Sequence, residues 1–382
     1  MEGRIADHSN YARQLKLILK KSLSRIAIVI KKLVLITKCM AMTTVWALAG
    51  CQSAPNSVTK LPTTRHLVFT SNRAVPHEEF DLFAVRLDTS ENQKAQIIQL
   101  TDTPGHELDP TVTQDGQHLL YIARPVIPNA DTAAQLTGRG QSSLIYMDLR
   151  TGQRSILYRS EGVLTHPSWS NDGKRIAFSL MQTGSGEIVE HRVKCLILAS
   201  RHVHDLGSGA YPNWLGDNRH LVISEIDATG NSQLWRVDAQ TGKRTQMSRP
   251  GPSMATLSPD RRYLAVAVPE GRDGRPTITV YPADELGSPS GKGVQVSYGT
   301  SSNAANLQPV WLSHPLDSTD KAKTSPCLAY TQIIFNPQPG STAFMSRIQV
   351  VAPDGSTTRQ LVPADAQNML QGGYISTLWL RR

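Results

Sequence analysis

The sequence predicts an all-β fold, a six-bladed β-propeller of four-stranded antiparallel blades, on three observations. A unit, centred on a proline in four of its five copies, recurs after residue 60. The apolar runs inside each unit are short and bounded by Gly, Asn and Asp, as strands are. The first and last pieces of the chain are complementary fractions of one unit. A repeat of roughly 20 to 50 residues marks an array or a ring, because a single unit cannot bury its own apolar face.

Four copies align without gaps around one position and an Asp five residues later. Asp109-Pro110-Thr111-Val112-Thr113-Gln114-Asp115-Gly116 leads into Leu119-Leu120-Tyr121-Ile122. His166-Pro167-Ser168-Trp169-Ser170-Asn171-Asp172-Gly173 leads into Ile176-Ala177-Phe178, and Tyr211-Pro212-Asn213-Trp214-Leu215-Gly216-Asp217-Asn218 into Leu221-Val222-Ile223. In the fourth copy Ala255 stands where the others have Pro, ahead of Asp260 and Tyr263-Leu264-Ala265-Val266. A fifth opens with Gln308-Pro309-Val310-Trp311 and resumes at Cys327 after an insertion over residues 313–325. The anchors at 110, 167, 212, 255 and 309 are 57, 45, 43 and 54 residues apart.

Within a copy, an apolar run, Asp-Gly or Asp-Asn, and a second apolar run read as two strands joined by a tight turn, since Gly and Asn accept the positive φ a hairpin needs. Leu144–Leu149 ending at Thr151-Gly152, and Gln233–Asp238 ending at Thr241-Gly242, supply third strands, with fourth strands beyond. Leu67–Thr70, Asp81–Val85 and Ile97–Leu100 give three strands with no proline-bearing strand before them, and Gly373–Leu380 gives one with no partner after it. Pairing the two pieces closes the ring and removes the open edges of a linear stack. A seventh blade would need a unit hidden in the insertions, which carry no turn signal.

The formal charge of +9 raises the question of nucleic acid. Residues 1–50 hold nine Lys or Arg against Glu2 and Asp7, and the other 332 residues are nearly balanced, 31 basic against 29 acidic. Without a clustered basic field there is little to neutralise a phosphate backbone, so no nucleic-acid partner is expected. The first 50 residues instead read as a signal peptide: Lys31-Lys32, an apolar run of 12 residues from Cys39 to Gly50, then small residues. That run is short of the roughly 20 residues a membrane-spanning helix requires.

Leu48-Ala49-Gly50-Cys51 resembles the lipobox of bacterial lipoproteins at all four positions. The resemblance implies cleavage before Cys51, a lipid on its thiol, and acyl chains sufficient for stable anchoring. Gln52 rather than Asp at the next position implies the outer membrane. Residues 51–64 then form a lipidated, flexible tether, and 65–382 the propeller. Lys38 within the apolar stretch and the long leader depart from the usual pattern. Of the remaining cysteines, Cys195 and Cys327 fall in strand-like runs, where a buried free thiol is commoner than a disulfide.

The pattern from Pro167 to Phe178, Pro-Ser-Trp-Ser-Asn-Asp-Gly-Lys-Arg-Ile-Ala-Phe, resembles the WD-like repeats of TolB-type β-propellers, and Gln99-Leu100-Thr101-Asp102 resembles the linker that precedes each such repeat. The resemblance spans about residues 65 to 380. It implies the fold more than a function, since similar blades occur in a translocation protein, in peptidase propellers and in sugar lyases. With only Gln52 to Thr64 between Cys51 and the first strand, the small α/β domain that precedes the TolB propeller is not expected here.

No Gly-x-Ser-x-Gly elbow and no phosphate-binding Gly-rich loop occurs in the sequence. His202-Val203-His204-Asp205 places two His on one face of a strand with no third ligand near in sequence, so a solvated strand is expected. The Asp of each turn, Asp115, Asp172, Asp217 and Asp260, recurs in all four gap-free copies and is read as structural. The candidates for binding are the residues just before each inner strand, which in a propeller ring the channel mouth: His106, Glu107, Asp109, His166, Tyr211 and Gln308. Two His and two carboxylates facing one funnel could hold a divalent cation or act as acid and base on a polar ligand; Asp109 and His166 also suit a turn-capping role. No cofactor is otherwise expected.

These readings combine into a monomeric, lipid-anchored periplasmic propeller that binds an envelope protein or peptide, with binding favoured over catalysis. Two alternatives are a lyase or hydrolase of cell-wall or polysaccharide fragments, centred on His106, Asp109 and His166, and a structural subunit of an envelope complex.

Overall fold

The structure is a computed structural model, and it describes residues 66–369 except 75–78, 88–95, 114, 126–140, 185–186, 227–230, 249–250, 271–273, 298–303, 313–325, 336–343 and 367. The leader, Cys51, the insertions at residues 127–140 and 313–325 and the anticipated closing strand at 373–380 lie outside the described residues.

The strands run in chain order around a ring. The first blade takes β1 (His66–Ser71), β2 (Asp81–Arg86) and β3 (Ile97–Gln99). The second is β4 (His106–Val112), β5 (His118–Arg124), β6 (Ser142–Asp148) and β7 (Arg154–Ser160), and the third β8 (Val163–Trp169), β9 (Arg175–Gly184), β10 (Glu187–Ile197) and β11 (Val203–Ser208). The fourth is β12 (Ala210–Trp214), β13 (His220–Ile226), β14 (Ser232–Asp238) and β15 (Arg244–Gln246). The fifth is β16 (Ser253–Leu257), β17 (Tyr263–Glu270), β18 (Arg275–Pro282) and β19 (Val294–Gln295). The sixth is β20 (Ala304–Leu312), β21 (Cys327–Phe335), β22 (Phe344–Val351) and β23 (Thr358–Ala366). A last short strand, β24 (Asn368–Met369), crosses back and pairs antiparallel with β1, Thr70 opposite Met369 and Ser71 opposite Asn368. The first blade therefore holds three strands from the start of the ring and its innermost strand from the end.

What holds the ring is the packing between blades. Six apolar clusters occupy the six seams. Val68 and Leu82 of the first blade meet Leu119, Tyr121 and Met147 of the second, and Leu120 and Ile122 meet Trp169 and Phe178 of the third. Val193 and Cys195 then meet Trp214 and Leu221, Val222 and Leu234 meet Leu257 and Leu264, and Ala265 and Ile278 meet Trp311 and Tyr330. Val310, Leu312 and Ile348 return to Leu67, Phe69 and Phe83, so the closing seam is as apolar as the others. Burial of one such side chain contributes about 1.5–3 kcal/mol. The recurring tryptophan also reaches across its seam. Trp214 Nε1 donates to Ser168 O of the preceding blade at 3.0 Å, and Trp311 Nε1 donates to Thr256 O at 2.9 Å. Cys195 and Cys327 are buried in different seams and are not joined in a disulfide.

The turn aspartates are structural, as the repeat implied. Asp115, Asp172, Asp217 and Asp260 each accept, through Oδ1, the backbone N–H two residues on, at 2.9–3.1 Å. Gly116, Gly173 and Asn218 supply the positive φ that follows; in the fifth blade Arg261 does so at 60°.

The proline has a reason that periodicity alone does not give. In β4 two residues between Leu108 and Thr111 stand opposite one residue of β5, a β-bulge, and β8, β12, β16 and β20 carry the same bulge at the same place. The first bulged residue is left-handed in all five: Asp109 (φ 55°), His166 (52°), Tyr211 (56°), Met254 (52°) and Gln308 (57°). Proline follows it in four, because proline lacks an N–H for a ladder and is accommodated at a bulge on an edge strand, and these strands are the ends of their sheets.

Candidate functional site: the innermost strands of the second, third and fourth blades

The anticipated channel-mouth residues do not precede the inner strands; His106, Glu107, Asp109, His166, Tyr211 and Gln308 all lie within them, four of them at the bulge. The misplacement has a physical cause: a proline in a sequence reads as the start of a strand, whereas here the bulge lets the strand run through it.

Three of the six are brought together. The Asp109 carboxylate, 2% exposed, accepts the backbone N–H of His166 through Oδ2 at 2.6 Å. The His166 ring packs edge-on to the Tyr211 ring, with centroids 4.4 Å apart at 70°. Asp109, His166 and Tyr211 therefore link three successive blades through equivalent positions of β4, β8 and β12. The arrangement follows from how each blade supports the next bulge. Tyr211 N–H donates to Ser179 Oγ and Met254 N–H to Ser224 Oγ, both at 3.1 Å and both from the second strand of the preceding blade. At the corresponding place β5 offers Ile122, so Asp109 supplies the acceptor instead.

Two charged or titratable groups that no sequence motif marks join this trio. Arg124, at the end of β5, donates from Nη2 to Leu164 O of the third blade at 3.2 Å. Burial pushes its guanidinium down to about 10, against an upward pull from Asp109. His191 of β10 is lowered chiefly by burial and then by His166. His166 is itself held below the ordinary histidine value by burial, with the Arg124 charge acting in the same sense and Asp109 opposing, so its ring is neutral at pH 7. Its Nδ1 is buried without a hydrogen-bond partner. Burial, then the Asp109 charge, pushes the Tyr211 phenol up to about 12. No sequence signal distinguished Arg124 or His191; each is an ordinary strand residue until the neighbouring blade is placed against it.

The other three predicted residues are elsewhere. Glu107 is 2% exposed and belongs to the seam between the first and second blades, where the Thr101 and Thr103 hydroxyls hydrogen-bond its carboxyl and Arg154 Nη1 approaches Oε1 at 3.8 Å. Burial raises Glu107, and its charge helps burial raise Asp81 to about 7. His106 lies beside Phe80, ring centroids 6.1 Å apart. Gln308 accepts Thr331 Oγ1–H at 3.0 Å within its own blade. Among the described residues no three His, Cys, Asp or Glu side chains are grouped so as to hold a metal ion. The His202 and His204 rings meet edge-on, centroids 4.5 Å apart at 86°, and the neighbouring Asp205 pairs with Arg192 and Lys194 at 2.8 Å.

The molecule is thus a closed six-bladed β-propeller with a polar, backbone-braced cluster on three adjacent inner strands. No family model and no curated protein sequence matches the chain. Among solved structures it is similar in fold to TolB from Acinetobacter baumannii, at a TM-score of 0.59 and 15% identity over 81% of this chain and 67% of that one. It is also similar to a putative TolB from Agrobacterium tumefaciens, at 0.51 and 14% identity over 81% and 93%. The TolB-type fold anticipated from Pro167–Phe178 is the fold observed.

Proposed function

We propose that this chain is a periplasmic binding propeller, held to a bacterial outer membrane by lipid on Cys51, which captures an envelope protein or peptide over the cluster of Asp109, Arg124, His166 and Tyr211. One observation carries the reading. His166 and Tyr211 are fixed by left-handed backbones braced from the preceding blade, and the Asp109 carboxylate is engaged with a backbone N–H rather than with the imidazole. An Asp placed to orient a catalytic base would bond the ring; one that bonds the main chain holds shape. A neutral imidazole, a guanidinium and a phenol on a rigid support offer directional contacts to a polar partner without requiring motion. The TolB likeness in fold, and the lipobox at Leu48–Cys51, support the location.

The test is crosslinking in intact cells through a photoreactive residue at position 211, followed by identification of the attached species, with Arg124→Gln as the control. Capture of one envelope protein that R124Q loses supports the reading. Cleavage of polysaccharide fragments by the purified protein, abolished in His166→Ala, would replace it with the lyase or hydrolase reading. Cys51→Ala should move the protein from the membrane fraction to the soluble periplasm.

A further inference from the structure

The fourth blade carries a second polar feature, remote from the inner strands. Arg219, His220, Arg236, Asp238, Lys243 and Thr245 line a cavity of about 350 Å³ at the turns joining β12 to β13 and β14 to β15. His220 stands opposite Asp238 in the β13–β14 ladder, and Arg236 lies beside Thr245 in the β14–β15 ladder. Arg219 Nε–H donates to Asp238 Oδ2 at 2.8 Å. Asp217 Oδ2 lies 2.6 Å from His220 Nδ1 and 3.6 Å from Arg236 Nη2. Three permanent cations thus face two carboxylates, and one is Asp238, whose backbone and Arg219 hydrogen bonds hold it ionised far below the ordinary range.

The hydrogen-bond inventory is short of acceptors. His220 Nδ1 lies 2.6 Å from Asp217 Oδ2 and 2.9 Å from Arg236 Nη2. One ring nitrogen cannot both donate to the carboxylate and accept from the guanidinium. Arg236 Nε is buried with no partner at all. Lys243 lines the same space. A guanidinium short of acceptors beside a lysine and a hydroxyl is the donor set that binds a phosphate or similar oxyanion.

The second blade supplies an internal control. Its turn has the same framework: His118 faces Asp148 as His220 faces Asp238, and Asp148 accepts Arg150 and Thr151 N–H as Asp238 accepts Gln240 and Thr241 N–H. There the positions of Arg219, Arg236 and Lys243 are Gln117, Tyr146 and Gln153, and the Tyr146 hydroxyl satisfies His118 Nδ1 at 2.7 Å. The fold does not need the three cations; the fourth blade has added them to a frame that closes without them.

We propose that this pocket of the fourth blade is an oxyanion site, which takes a phosphate or phosphomonoester group through Arg236, Lys243, Arg219 and the Thr245 hydroxyl. The test is calorimetric titration of the full chain with inorganic phosphate at constant ionic strength. A single saturable site is expected, weakened at least tenfold in the double variant R236Y/K243Q, which installs the second blade's residues, and unchanged in Arg159→Gln on β7. Because the second blade folds with those residues, the double variant should melt cooperatively; should it not, Lys243→Gln alone carries the test. A second titration with phosphatidylglycerol vesicles separates the sources: R236Y/K243Q-sensitive vesicle binding assigns a lipid headgroup, and binding of phosphate alone assigns a soluble ligand. No saturable phosphate binding, or equal loss in R159Q, overturns the proposal.

Discussion

The carboxylate of Asp109 crosses the seam between the second and third blades to accept the His166 backbone N–H at 2.6 Å, and both residues sit at the left-handed position of their own bulge. One strained residue thereby braces the next. A non-glycine residue in that conformation costs of order 1–3 kcal/mol and persists only where its surroundings over-determine it.

Asp109→Ala removes that acceptor and leaves Arg124 without its nearest anion. A loss of about 2–4 kcal/mol in urea denaturation is expected, because a buried donor and a buried cation both go unmatched. Asp109→Asn keeps an oxygen for the His166 N–H and should recover part of the loss. Ser179→Ala, which strips the Tyr211 N–H of its acceptor, should cost about 1–3 kcal/mol by the same reasoning.

The tryptophans divide into two kinds. Trp214 and Trp311 donate across their seams, whereas Trp169 Nε1 is buried with no partner. Replacement by Phe keeps most of the apolar surface and deletes the donor. Trp214→Phe and Trp311→Phe should each leave a carbonyl short of a bond and lose about 1 kcal/mol more than Trp169→Phe, measured as shifts in denaturant midpoint.

Asp81 gives the ring a dependence on pH. It is 4% exposed, and burial, then the charges of Glu107 and its acidic neighbours, raises it from 3.8 to about 7. Between those values the folded chain holds a proton that the unfolded chain releases, so this contribution to stability is present below about pH 4 and fades as pH rises to 7. Asp81→Asn does not titrate and still accepts from Gln99. Its melting temperature should exceed that of the native chain at pH 8, with the advantage shrinking toward pH 4.

Cys195 is 0% exposed, and burial pushes its thiol up to about 11. The thiol is therefore neutral at pH 8 and should resist iodoacetamide until denaturant opens the seam between the third and fourth blades. Mass spectrometry with and without urea checks this. A reductant should leave the melting temperature unchanged, because Cys195 and Cys327 belong to different seams.

Much of the fold was legible in the chain because its causes are local and repeated. Asp-Gly and Asp-Asn mark turns whose hydrogen bonds close within five residues, and Trp169, Trp214 and Trp311 mark the face that must lean on a neighbour. Blade number followed from counting strands, since three at one end and one at the other complete a single sheet; the pairing that closes the ring is made by Asn368–Met369, ahead of the segment at 373–380 that the sequence pointed to. The candidate site was legible only in part. Asp109, His166 and Tyr211 were found because their register is repeated, yet Glu107 and His106, two and three residues away from Asp109, went with them although their side chains belong to other neighbourhoods.

Sequence alone determined the number of blades, the turns and the edge that each apolar run would bury, because a four-stranded sheet with two apolar faces has few ways to cover both. Only the tertiary structure decided which polar side chains meet. Arg124 reaches the Asp109–His166 pair, and Arg219, Arg236 and Lys243 share one pocket, through contacts between strands whose separation along the chain carries no periodic signal. Proximity across a seam depends on how one blade's bulge and side-chain lengths fit the next, and that fit is a property of the closed ring rather than of any one repeat.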